Sequence, residues 1–368
     1  NLVIQFDQPV AATYSRCEFY GITATNTSRM AYGSNYSTNG TIYNFLPKTT
    51  FETPTTCPIP TDFALTNAMP NSATFSWNAG GTEPAWELEY GAPGFTQGTG
   101  TLVSANVDTA NLTGLTPETN YQVYLRAVCG VGDESFWIGP IAFSTPQIPG
   151  VVPYLADFED PAENANWGFA RNLSLTYPNN WYIDTAESYT GLKSLYISNN
   201  SGVSNAYTTA SASCVVWAYR DVYLTPAAEY ELKFDWKAIG QTTVDYMRVY
   251  VGTPTSVAAT TSTTVVAPAG ALSLTNPLNN SYYFNAYDGA NNTFTGWNQF
   301  TQIFPGSYAG TTQRIYFVWV NNATNGAQPP IAIDNISVIG RNCTSVSNIN
   351  VTGVSSTGGT LHWTIGNN

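Results

Sequence analysis

The run Glu229-Tyr-Glu-Leu-Lys-Phe-Asp-Trp-Lys237 constrains this chain more than any other feature, because Tyr230, Leu232, Phe234 and Trp236 alternate strictly with five charged residues. Alternation of period two sorts side chains onto the two faces of a β-strand, so one face is expected to be core and the other solvent. Elsewhere, short runs rich in Val, Thr, Tyr and Ile are separated by 30 Gly and 22 Pro, and aromatic residues reach 14%. These are strand and turn signals. No capped apolar pattern of helical period extends over ten residues. The 368 residues, at about 150 per domain, allow two to three domains. The expected fold class is all-β, as tandem β-sandwich modules with incidental helix.

Charge removes several functions. Lys and Arg total 12 against 24 Asp and Glu, a net charge of -12, with 10% of residues charged, where about 25% is usual. So few cations cannot neutralise many phosphates, and neither nucleic acid nor an anionic membrane surface is an expected partner. No stretch approaches the roughly 20 apolar residues of a spanning helix, so no membrane insertion is expected in this segment. The opening Asn1-Leu-Val-Ile-Gln-Phe6 reads as mid-strand, so the chain is expected to be a fragment, with any anchor elsewhere.

Catalytic groups are scarce. The single histidine is His362, which excludes most histidine-based catalysis and most zinc sites. The five cysteines (17, 57, 129, 214 and 343) form no Cys-x-x-Cys, leaving zinc ribbons and thiol redox motifs unsupported. No Gly-x-Ser-x-Gly elbow or phosphate-binding glycine loop is present, and two carboxylates suited to a glycosidase are not implied by any spacing. The chain is expected not to be an enzyme.

An internal repeat is visible. Cys57 precedes Trp77 by twenty residues, Cys343 precedes Trp363 by twenty, and Thr74-Phe-Ser-Trp-Asn-Ala-Gly80 aligns with Thr360-Leu-His-Trp-Thr-Ile-Gly366 at the same offset of 286 (343 − 57). A second copy of the module that begins at Cys57 is therefore expected to start at Cys343. His362 falls where Ser76 stands in the first copy, beside the core Trp on the alternate face.

Residues 55–147 resemble a fibronectin type III domain. The resemblance rests on Trp77 in the second strand, on Trp86-Glu-Leu-Glu-Tyr90 as the third, and on Leu112-Thr-Gly-Leu-Thr-Pro-Glu-Thr-Asn-Tyr121 followed by Gln-Val-Tyr-Leu-Arg-Ala127. It implies a tyrosine corner at Tyr121, inward Val123, Leu125 and Ala127, and a last strand from Phe136 to Pro146. Cys129 continues the inward parity and Cys57 opens the domain in Cys-Pro-x-Pro. Secreted copies of the domain from Bacteroidetes look like this, so Cys57 and Cys129 are expected to pair, with unlinked structural cysteines as the alternative. A bridge implies an oxidising, extracellular or cell-surface location.

Residues 151–340 resemble the cleaved-adhesin or MAM-like jelly-roll domains of Bacteroidetes surface proteins. The matching residues are Ala156-Asp-Phe-Glu-Asp160, Asn180-Trp181, Gly191-Leu-Lys-Ser194, Tyr219-Arg-Asp-Val-Tyr-Leu-Thr-Pro226, Asp245 to Val251, Arg314 to Trp319 and Ile331 to Val338. An Ala/Thr/Ser segment at 255–272 looks like an inserted loop. Residues 1–54 read as the C-terminal part of a preceding β-sandwich, and 341–368 as the first strands of a second, truncated fibronectin type III-like domain. Cys343 is the first candidate to have lost its partner to missing sequence, with Cys17 as a further one, and Cys214 is expected to be a small buried residue.

Related jelly rolls hold a structural Ca²⁺ near the opening and closing strands. By that likeness Asp157 and Glu159, on one face of a strand, together with Asp334 would be its ligands, against the alternative of solvated turn carboxylates; no other cofactor is expected. Trp167, Trp181, Tyr189, Trp217 and Trp297 are candidates for stacking on sugar rings, against the alternative of core packing. Asp108-Thr-Ala and Asp184-Thr-Ala resemble the O-glycan attachment sites of Bacteroidetes, pointing to Thr109 and Thr185. The resemblances together imply a non-enzymatic segment of a large extracellular bacterial surface protein, an adhesin, stalk or filament building block. Its partners would be other copies or neighbouring modules, and cell-surface proteins or glycans of a host or community. The alternative is the non-catalytic accessory region of a secreted protease or glycoside hydrolase.

Overall fold

The computed structural model describes residues 21–30, 41–47, 56–171, 178–209, 213–241, 243–255, 265–277, 280–286, 296–324, 326–343 and 345–364. At the N-terminal end β1 (Gly21–Met30) pairs antiparallel with β2 (Thr41–Pro47). The strand-like run Leu2 to Phe6 and Cys17 lie outside the described residues.

The first sandwich packs β3 (Thr61–Met69), β4 (Ser72–Asn78) and β7 (Thr109–Thr113) against a second sheet. That sheet holds β5 (Ala85–Gly91), β6 (Thr101–Ala105), β8 (Asn120–Gly130), β9 (Asp133–Glu134) and β10 (Ile138–Ser144). Phe75, Trp77, Trp86, Leu88, Val123, Leu125 and Ala127 are buried between the sheets. The Trp77 and Trp86 rings lie 5.8 Å apart. Tyr121 makes the expected corner, its hydroxyl accepting the Thr116 N–H at 3.0 Å. Phe136 is exposed and precedes the last strand, which starts two residues later than expected. Cys57 and Cys129 are disulfide-bonded, with Cα atoms 5.5 Å apart.

The larger sandwich follows. One sheet runs in the order β11 (Gly150–Val151), β16 (Cys214–Tyr223), β21 (Thr312–Asn321), β18 (Tyr246–Gly252), β19 (Leu272–Ser273), with β13 (Gly168–Arg171) on β16. The other runs β14 (Asn180–Asp184), β15 (Ser194–Ser198), β22 (Ala332–Arg341), β17 (Glu229–Lys237), β20 (Asn298–Pro305), with β12 (Tyr154–Ala156) on β22. Tyr230, Leu232, Phe234 and Trp236 point into the shared core, as their alternation requires. Among the described residues the α-helix is confined to α1 (Pro161–Asn164), capped by Asp160.

The outward face of β17 departs from the simple reading of charge in solvent. Glu229, Glu231 and Asp235 are buried because each is enclosed by partners. Glu231 pairs with Lys233 at 2.7 Å and with Arg341, Glu229 accepts the Ser345 N–H at 2.8 Å, and Asp235 accepts the Asn335 amide at 3.0 Å. A buried carboxylate needs such partners. A second, smaller core lies on the far side of the β16–β21–β18 sheet, where Trp217, Tyr250, Tyr316 and Val318 are buried against Val265, Ala271 and Tyr283. Part of the segment read as an inserted loop thus covers a sheet face; its residues 256–264 lie outside those described.

At the C-terminal end β23 (Ser347–Ser355) and β24 (Gly358–Thr364) form an antiparallel hairpin. Trp363, which aligns with the buried Trp77, is 52% exposed here. His362 is exposed too, its Nε2 2.8 Å from the Thr352 hydroxyl, and Cys343 is an exposed free thiol.

Candidate functional site

The three carboxylates expected to share a cation are placed differently from the expectation. The strand β12 ends at Ala156, so Asp157 and Glu159 sit in a turn rather than on one face of a strand. Phe158 between them has φ +61° and is buried. A bulky residue in the left-handed region is strained, and core packing of its ring sustains it. On β22 a register shift and Asn335 at φ +49° put Asp334 on the outward face beside its partner Asp235, where the loop at Tyr189 and Thr190 buries it, the reorienting effect of a bulge.

Both carboxylates engage the loop between β14 and β15. Asp334 Oδ2 accepts the N–H groups of Tyr189 at 2.8 Å and Thr190 at 3.0 Å, and its Oδ1 accepts that of Asn335 at 2.8 Å. Glu159 Oε1 accepts the N–H groups of Leu192 at 2.6 Å and Lys193 at 2.8 Å. Between these grips lies Gly191 at φ +65°, where a Cβ would overlap the Glu159 carboxylate. Asp157 Oδ1 instead accepts the Glu159 N–H at 3.2 Å. Among the described residues no three Asp, Glu, His or Cys side chains are gathered so as to hold a metal ion. The trio does not fit a shared cation in this geometry, since main-chain donors take both oxygens of Asp334 and Oε1 of Glu159. Burial pushes Asp334 above the usual Asp range against the pull of its three N–H donors. The Lys193 and Leu192 N–H groups hold Glu159 below the usual Glu range.

The aromatic candidates divide sharply. Trp167, Trp181 and Trp217 are buried, and the Trp181 indole donates to the Val216 carbonyl at 3.0 Å. Tyr189, by contrast, is 53% exposed on the gripped loop. Its ring lies 5.5 Å from that of the half-buried Trp297, tilted 47°. A polar row adjoins them. The Thr190 hydroxyl donates to Asn335 Oδ1 at 2.9 Å, Asn335 Nδ2 to Asp235 at 3.0 Å, and Gln299 Nε2 approaches Asp235 Oδ1 at 3.5 Å. Loop, bulge and strand end therefore present two rings and a line of amide, hydroxyl and carboxylate groups together.

Cys214 and Asp245 are committed to structure. Cys214 is buried, its thiol pushed up to about 12 chiefly by burial, which leaves it almost wholly protonated and a poor nucleophile near neutral pH. Asp245 is raised by burial and accepts the Tyr207 hydroxyl at 2.8 Å and the Asn322 N–H at 2.9 Å. Thr109 and Thr185 are both exposed, Thr109 at the start of β7 and Thr185 just after β14.

The linker Thr145-Pro-Gln-Ile-Pro-Gly150 reads from its two prolines as one that limits bending, but sequence reasoning missed the side-chain bonds that tie it to both sandwiches. Thr145 is tied to the first by its hydroxyl, which donates to the Thr116 carbonyl at 2.6 Å and accepts the Thr119 N–H at 3.0 Å. Two residues on, buried Gln147 accepts the Asp221 N–H at 2.9 Å. Arg220, itself buried, donates to the Ile148 carbonyl at 2.6 Å and to both oxygens of Glu163 at 2.7 and 3.0 Å. Glu118 of the tyrosine-corner turn reaches Tyr219, whose hydroxyl is raised by burial and then by that carboxylate. The signal was the adjacent Arg220-Asp221 pair inside an otherwise apolar strand, since charges in such a place need partners.

Residues 58–143 match the fibronectin type III domain family. No curated protein matches the chain. Among solved structures, the fibronectin type III domain of human collagen alpha-1(XX) chain is 20% identical, covering 24% of this chain and 85% of its own, with a TM-score of 0.22. The FN5 domain of Drosophila Lar is 21% identical over 24% of this chain and 94% of its own, TM-score 0.21. A structure described as a carbohydrate-binding module from the β-sandwich superfamily is 12% identical over 77% of this chain and 99% of its own, TM-score 0.31.

Proposed function

We propose that this chain is a non-enzymatic modular segment of a large extracellular bacterial surface protein, a stalk or filament building block that presents an adhesive surface. The observation that carries the reading is the linker from Thr145 to Val151, bonded to the first sandwich through Thr145 and to the second through Gln147, Ile148 and the pairing of β11 with β16. Linkers held at both ends limit bending, so tandem sandwiches joined this way transmit reach and orientation. The Cys57–Cys129 disulfide supports an oxidising compartment outside the cytoplasm. The resemblance of both modules to secreted surface domains of Bacteroidetes supports the bacterial source, and the exposure of Thr109 and Thr185 is compatible with O-glycans there.

A second reading is favoured by the pairing of exposed Tyr189 with half-buried Trp297: the non-catalytic, substrate-binding region of a secreted protease or glycoside hydrolase. Negative-stain electron microscopy of the native full-length protein, with its intact mass, separates the two. Long regular fibres or extended rods are the expected result. A compact particle carrying an additional globular domain would overturn the stalk in favour of the accessory region.

A further inference from the structure

Exposed aromatic rings are normally free to wander, whereas Tyr189 is held through its own main-chain N–H by a buried carboxylate, Asp334, and faces a ring from a different strand end. Trp297 immediately precedes β20, and Gln299 is the second residue of that strand. Asp235 is the register partner of Gln299 on β17. The rings therefore adjoin the outward polar row of the sheet.

We propose that this ledge, Tyr189 and Trp297 with Thr190, Asn335, Asp235 and Gln299 beside them, binds a hexose unit of a neutral polysaccharide. The proposal deepens the reading of the chain as a presenting surface and rests on it. A pyranose ring has an apolar C–H face that stacks on an aromatic ring and a rim of hydroxyls that need donors and acceptors side by side. Two rings plus an amide, hydroxyl and carboxylate row supply both. The Gln299 to Asp235 contact, at 3.5 Å, is long enough for a ligand hydroxyl to compete for either group. The neighbouring cation Lys237 is already paired with Glu187 at 2.9 Å, and the net charge of -12 repels anionic polymers. A protein partner would need about 800 Å² of complementary surface per side, of which two rings supply a small part.

The test is affinity electrophoresis and titration calorimetry of the 368-residue chain with a β-1,3-glucan, a galactomannan, a yeast mannan and a xyloglucan, with polygalacturonate as the anionic control. Retardation by at least one neutral polymer is expected, and Tyr189→Ala or Trp297→Ala should each weaken it about tenfold. Thr190→Val should weaken it about threefold. Far-UV circular dichroism and the thermal midpoint of the alanine variants should match wild type, since neither ring belongs to the buried core. Failure of all four neutral polymers to retard the chain, retardation by polygalacturonate alone, or undiminished binding by the double alanine variant overturns the site. Those outcomes are distinguishable from failure of the stalk. Rods that bind no neutral polymer overturn the site alone, and a compact, polymer-binding particle with an extra domain overturns the stalk alone.

Discussion

Glu159 and Asp334, from opposite ends of the larger sandwich's sequence, accept main-chain N–H groups at the two ends of one stretch, Tyr189 to Lys193. Each satisfies donors that a hairpin loop would otherwise leave to water. Asp334 serves three N–H groups while fully buried, so Asp334→Ala leaves three donors without an acceptor and should cost about 2–4 kcal/mol. Glu159→Ala acts at the surface and should mainly raise amide hydrogen exchange at Leu192 and Lys193. Denaturant titration and exchange of those amides check both; unchanged protection in either variant would contradict the double grip.

The two carboxylates should respond to pH with opposite sign. Asp334 is raised by burial, with Asp235 nearby adding to the rise, so its contribution is fully present below the ordinary Asp value of about 3.9 and is lost as pH rises through its folded value. Glu159 is lowered by the N–H groups of Lys193 and Leu192. Its contribution is present above the ordinary Glu value of about 4.3 and is lost as pH falls through its lowered folded value. The stability difference between wild type and Asp334→Asn should therefore shrink on going up in pH, and that between wild type and Glu159→Gln should shrink on going down. Denaturant midpoints from pH 3 to 8, spanning both carboxylate ranges, read each slope directly.

How much of this was legible beforehand depended on whether the signal was local. The alternation at Tyr230 to Trp236, the Trp77 and Tyr121 positions and the all-β class are set by strand period and turn chemistry within a few residues. The disulfide was read from parity and family likeness together. The fate of Asp157, Glu159 and Asp334 was not legible. It depends on a left-handed Phe158 and a bulge at Asn335, and each rotates a side chain by one face without altering composition. Likewise the burial of Glu229, Glu231 and Asp235 depends on Ser345, Arg341 and Asn335, all remote in sequence. Tyr189 and Trp297 were among five aromatic candidates, and nothing local to them distinguished surface from core.

The Cys57–Cys129 bridge joins residues 72 apart, and constraint of the unfolded chain by such a loop contributes about 2–4 kcal/mol. Because the bridge is confined to the first sandwich, the Cys57→Ser/Cys129→Ser variant should lower one calorimetric transition and leave that of the larger sandwich in place. Two transitions falling together would mean that the sandwiches unfold as one unit.

The joint makes a geometric prediction. Gln147→Ala removes the acceptor of the Asp221 N–H, and Gly168→Ala inserts a methyl where Tyr219 already occupies the space, with Glu118 beside it. Neither residue lies in the main hydrophobic core of either sandwich. Small-angle scattering should show a broader distribution of lengths for both variants, while each sandwich keeps its own unfolding midpoint to within about 2 °C. A scattering profile identical to wild type would show that the linker prolines, Pro146 and Pro149, hold the angle without the side-chain bonds.

Cation dependence follows from the same loop. A Ca²⁺ ion takes six to eight oxygen ligands, whereas the oxygens of Asp334 and one of Glu159 are turned to N–H donors that a cation would have to displace. Linkage requires that any ion bound by the folded chain raise its stability as its concentration rises. The expected outcome is a thermal midpoint for the larger sandwich that differs by less than about 1 °C between EDTA and millimolar CaCl₂. A rise of several degrees that disappears in Glu159→Gln and Asp334→Asn would instead mean that the ion reorganises the loop and takes the place of its main-chain donors. The Tyr189 ring would then be positioned by the metal rather than by the carboxylates alone.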